Sequence, residues 1–75
     1  MTPEEIYDKL LAEGVRDPAC VKLGDRCFVG RWEQVSEQLS NGHICRVGKV
    51  AILVLGESDS WISAYAIAAS RLASI

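Results

Sequence analysis

The longest unbroken apolar stretch of the chain is Val50-Ala51-Ile52-Leu53-Val54-Leu55, and the residues that follow, Gly56-Glu57-Ser58-Asp59-Ser60, turn polar at once. A strand with one wet face alternates apolar and polar positions. One with no polar position reads as a central strand covered on both faces. The remaining elements are therefore read for how they supply that cover.

Thr2-Pro3-Glu4-Glu5 opens a helix expected over residues 3–13. Thr2 is the N-cap, Pro3 suits the first helical position, and Glu5 completes a capping box. Ile6, Tyr7, Leu10 and Leu11 share one side of this helix. Gly14 closes it in the left-handed conformation, and Val15 folds back onto Leu10 as in a Schellman motif. Asp17-Pro18 marks a turn. Cys20-Val21-Lys22-Leu23 and Arg26-Cys27-Phe28-Val29 then flank Gly24-Asp25 as a hairpin. Its register puts Val21, Leu23 and Phe28 toward the core, with Cys20, Lys22, Cys27 and Val29 on the other face.

Trp32, Val35 and Leu39 recur at helical spacing and predict a helix of about 10 residues, stopped at Asn41-Gly42. His43–Val47 and Val50–Leu55 are strand candidates, joined by a turn at Gly48-Lys49 or merged into one strand bulged at Gly48. A last helix is capped by Ser58, Asp59 or Ser60 and carries the stripe Trp61, Ala64, Tyr65, Ala68, Ala69, Leu72 and Ile75. Its alanines permit close approach to a sheet, and both tryptophans are expected in the core. The expected element order is α-β-β-α-β-β-α. That order describes one small domain over residues 1–75, a two-layer α+β sandwich with helices packed on an antiparallel or mixed sheet.

Composition adds little. At 49% hydrophobic and 24% charged the chain is an ordinary folded globule, and a net charge of −2 argues against a dedicated nucleic-acid binder. The charge is unevenly placed: Glu4, Glu5, Asp8 and Glu13 crowd residues 1–14, while Arg16, Lys22, Arg26 and Arg31 fall in residues 15–31. The N-terminus lacks a basic segment followed by an apolar one, and no apolar run is long enough to span a membrane. Three cysteines with no export signal read as reduced thiols in a cytoplasmic protein.

No motif carries chemistry. Cys20, Cys27, His43 and Cys45 are zinc-ligand types, but their spacing is unlike a zinc knuckle, and core thiols account for them better. A cysteine nucleophile with His43 as base lacks a recognisable orienting group. Glu57 and Asp59 at a helix start repel phosphate. Lys22, Arg26, Arg31, Arg46 and Lys49 lie on or beside strands, so a nucleic-acid-binding module using that side is the alternative reading, without the sheet aromatics such modules stack on bases. No metal or cofactor is expected, and no catalysis.

The sequence thus points to a small protein–protein interaction domain, an adaptor or inhibitor of a larger complex. Its size and composition match those of regulators and of phage inhibitors of host machinery such as CRISPR complexes, although no residue selects among them. Candidate partner-binding residues are Glu33, Glu37, Glu57, Asp59 and Ile67. A homodimer is expected as well, because three helices on one sheet face would leave Ala51, Leu53 and Leu55 or their alternates exposed.

Overall fold

The first helix starts and stops as its residues dictate. The computed structural model describes residues 1–34, 43–47 and 50–73, and in it α1 spans Pro3–Ala12. The Glu5 backbone N–H donates to Thr2 Oγ1 at 3.2 Å, and the Thr2 N–H donates to Glu5 Oε1 at 3.2 Å. At the other end Gly14 has φ +89°, the Val15 N–H reaches the Leu10 carbonyl at 2.9 Å, and the Gly14 N–H reaches that of Leu11 at 3.0 Å. These two bonds are a complete Schellman motif. Only Ile6 and Leu10 are buried on α1, whereas Tyr7 and Leu11, expected beside them, are exposed.

Strand β1 (Pro18–Leu23) turns through Gly24-Asp25 into β2 (Arg26–Gln34), followed by β3 (His43–Val47), β4 (Val50–Ser58) and α2 (Trp61–Ala73). The four strands form one sheet of order β1-β2-β4-β3, with every neighbouring pair antiparallel. The Val50–Leu55 run is thus central, with β1 and β3 at the edges.

The described elements run α-β-β-β-β-α, which corrects the expected α-β-β-α-β-β-α. Trp32, Glu33 and Gln34, read as the opening of a middle helix, continue β2 and pair with Ile52, Ala51 and Val50. Helical spacing at Trp32, Val35 and Leu39 is a local signal. A ladder to the most apolar strand of the chain outweighs it, and tryptophan suits a strand at least as well as a helix. The rest of that expected helix, with its stop at Asn41-Gly42, lies outside the described residues, as does the Gly48-Lys49 turn.

The hairpin register is as read, with Leu23 opposite Arg26, but its faces are reversed. Cys27 and Val29 join Ile6, Leu10, Ala64 and Ala68 in one buried cluster, with Cys20 and Leu55 packed against it. Both helices therefore cover the face that Cys20, Cys27 and Val29 present. Phe28 is buried on the opposite face, and Leu23 at the hairpin tip is 49% exposed. Alternation assigns residues to two faces but cannot say which one the helices take, since both carry apolar side chains.

Strand β4 also runs past its expected end to Ser58, with a register shift against β2 at Val29/Gly30. Gly56 is part of the strand because α2 lies directly on it: a Cβ there would collide with the Ala64 carbonyl oxygen and come within 2.7 Å of the Ala68 nitrogen. Ala64 and Ala68, both fully buried, are the small residues on the helix side of this contact. None of Val50 to Leu55 is exposed, and Ala51 and Ile52 have no accessible surface. Leu53, Val54 and Leu55, on the strip where a homodimer is expected to bind, are half-buried.

Two substitutions test this packing by urea or thermal unfolding. Ile52→Ala is expected to cost about 3 kcal/mol through loss of burial and the cavity left behind. Gly14→Ala, which strains a left-handed residue in open space, should cost about 1 kcal/mol, and Gly56→Ala clearly more, because backbone and not a mobile side chain must yield. Equal costs for the two glycines would contradict the helix–strand contact.

Candidate functional site

The residues proposed from sequence as partner contacts do not converge. Glu33 is half-buried on β2, and its Oε1 accepts from Arg31 Nη2 at 2.6 Å. Glu57 lies on β4 opposite Phe28, on the face away from the helices, and pairs with Arg26 at 3.2 Å. Asp59 is exposed at the β4–α2 junction, where it accepts from Ser58 Oγ at 3.2 Å. Ile67 is 40% exposed on α2. Glu37 lies outside the described residues. Of the three cap candidates Ser60 serves α2, since its Oγ accepts from the Ser63 N–H at 3.3 Å.

The strand cations are divided too. Alternation sends Lys22 and Arg31 to the helix-covered face and Arg26 to the other, and both arginines are engaged by carboxylates; Lys49 and the Arg46 side chain lie outside the described residues. Exposed pairs of this kind contribute under about 1 kcal/mol, but they remove charge that a phosphate backbone would need. No group of three or more His, Cys, Asp or Glu able to hold a metal ion occurs among the described residues. No helix among them is long and apolar enough to cross a membrane.

What the structure does assemble is a groove of about 440 Å³ between α1 and β1, lined by Pro3, Glu4, Tyr7, Asp8, Pro18, Ala19, Cys20, Val21 and Trp32. Successive β1 residues point to opposite faces, yet four in a row, Pro18 to Val21, line this groove. It therefore wraps the outer edge of β1, where the sheet has no further strand among the described residues. Helix α1 supplies one wall through Pro3, Glu4, Tyr7 and Asp8. Trp32 closes an end, held by its backbone N–H to the Asp17 carbonyl at 2.9 Å. Asp17 itself has φ +50°, a conformation that Asp tolerates and that starts β1 at Pro18.

No protein-family model, curated protein or solved structure matches this chain. The site therefore has to be read from its own side chains.

The groove is lined mainly by apolar and aromatic residues, and its charged lining residues among those described, Glu4 and Asp8, are acidic. Cys20 is half-buried; burial first, and the Glu4 carboxylate second, push its thiol above the ordinary value. A raised thiol stays protonated near neutral pH, which suits a wall and not a nucleophile. Trp32, expected in the core, is half-buried instead and lines this groove. A second depression of about 430 Å³ lies on the helix side, with Val15, Leu53, Leu55 and Leu72 below and Glu13, Arg16 and Arg31 around it. Its charges are mixed, and Glu13 already accepts the Tyr65 hydroxyl at 3.2 Å.

The groove was not legible from the sequence. Tyr7 was placed on an inward stripe and Trp32 on a helix, and only the acidic bias of residues 1–14 hinted at it. Iodoacetamide labelling followed by peptide mass spectrometry checks its electrostatics. Cys20 should react slowly at neutral pH, and Glu4→Gln should accelerate it by up to about two-fold, because removing the carboxylate lowers the thiol pKa. An unchanged rate would mean that Glu4 exerts no field at the groove.

Proposed function

We propose that the chain is a small protein-binding domain, an adaptor or inhibitor that engages a larger partner through the α1–β1 groove and not through catalysis. The observation that supports this reading is a concave, mainly apolar groove over a free strand edge, with an exposed Tyr7 and a part-exposed Trp32 in its walls. Tyrosine and tryptophan in a concave, mostly apolar patch are the residues that most often anchor protein interfaces. A strand edge beside them offers main-chain hydrogen bonds to an extended segment.

The partner is a foreign protein. A second copy is the lesser reading, since the Val50–Leu55 strip is at most half-exposed. Nucleic acid is disfavoured by the net charge of −2 and by Arg26 and Arg31, which lie on opposite faces and are each engaged by a carboxylate. A cytoplasmic setting fits the free thiols of Cys20 and Cys27.

The full chain and its Tyr7→Ala variant, both immobilised, provide the test. The wild type should retain a discrete protein at near-equal stoichiometry, and the variant should retain at least about five-fold less, as loss of an aromatic anchor implies. Nuclease-sensitive material in place of protein, or equal retention by both baits, would overturn the proposal.

A further inference from the structure

Among the described residues, every charged side chain lining the α1–β1 groove is acidic, Glu4 and Asp8, and no basic residue borders it. Four positions apart on α1, the two carboxylates lie on one side of the helix with Cβ atoms about 5–6 Å apart. Both residues are exposed, and neither makes a hydrogen bond or ion pair among the described residues. Tyr7, three residues after Glu4, shares their stretch of α1, and Pro18 and Cys20 of β1 line the same groove. Two unneutralised carboxylates beside an exposed tyrosine suit a single class of side chain, a Lys ammonium or Arg guanidinium. Such a group pairs with the acids and lies against the negative face of a ring.

The strand edge sets the form in which that cation arrives. The groove follows Pro18 to Val21, a length of about 13 Å at the rise of an extended chain. That length accommodates roughly four residues of a strand laid beside β1, alternate side chains of which turn toward α1.

We infer that this groove recognises a basic extended segment of the partner protein, with a Lys or Arg side chain held by the Glu4 and Asp8 carboxylates beside Tyr7. The inference rests on the protein-binding reading above and names the chemistry of the partner.

Three acetylated, amidated tetrapeptides, alternating alanine with arginine, glutamine or glutamate, provide the probes. Each is titrated into the full-length ¹⁵N-labelled chain. The arginine peptide should move the amides of Tyr7, Cys20 and Val21 and the Trp32 indole N–H along one saturable curve. Its affinity should rise when salt falls from about 150 mM to about 20 mM. The double variant Glu4→Gln/Asp8→Asn, whose Thr2–Glu5 capping box is intact and whose fold is checked by circular dichroism, should bind at least about ten-fold more weakly. Binding of the glutamine peptide as tight as that of the arginine peptide would overturn the role of charge. So would arginine-induced shifts that do not saturate, or that persist in the double variant. Retention of the captured partner by the double variant but not by Tyr7→Ala would sink the cation inference and leave the protein-binding proposal standing. Failure of capture by the wild type would sink the protein-binding proposal itself.

Discussion

The structure depends on one long-range pairing, that of β2 with β4. Each is nine residues long, and together they fill the middle of the sheet. The Val50–Leu55 run has apolar side chains on both sides, so it is stable only where both of its faces are withdrawn from water. Pairing with β2 places Val29 in the helix-side cluster and leaves Phe28 buried on the reverse. The same ladder extends β2 through Trp32 to Gln34. A local preference worth a few tenths of a kcal/mol per residue yields to burial worth roughly 25 cal/mol for each Å² of apolar surface.

The helix layer follows from how closely α2 can approach that pair. Gly56 presents no side chain, Ala64 and Ala68 present the smallest ones, and the helix settles onto strand backbone. A close helix needs few large residues to make a dry interface, which suits a domain of this size. Trp61, Tyr65 and Leu72 pack around the periphery of the contact, and α1 completes the layer with Ile6 and Leu10.

The candidate groove is a by-product of the same arrangement. Strand β1 is outermost, so its edge stays open, and α1 comes down beside it with Glu4, Tyr7 and Asp8 turned away from the buried Ile6 and Leu10. Trp32 arrives because β2 outruns β1 by a few residues beyond the Pro18–Arg31 pair. Neither the acidic helix nor the tryptophan forms a site alone. Their meeting over a free strand edge does, and it draws on residues up to 29 positions apart, from Pro3 to Trp32.

What the sequence determined by itself was local. Thr2, Pro3, Glu5 and Gly14 specify the bounds of α1, Gly24-Asp25 places the first hairpin turn, and the unbroken apolar run marks the central strand, because each acts through neighbours a few residues away or through its own lack of polar atoms. The α+β class was legible for the same reason. The element order, the face of the hairpin taken by the helices, the extension of β4 through Gly56 and the setting of Trp32 were decided only in three dimensions. Each is a choice between alternatives with similar local free energies, settled by contacts distant in sequence. The groove belongs with these: its acids are visible as an acidic stretch, but only the fold brings β1 and Trp32 alongside them.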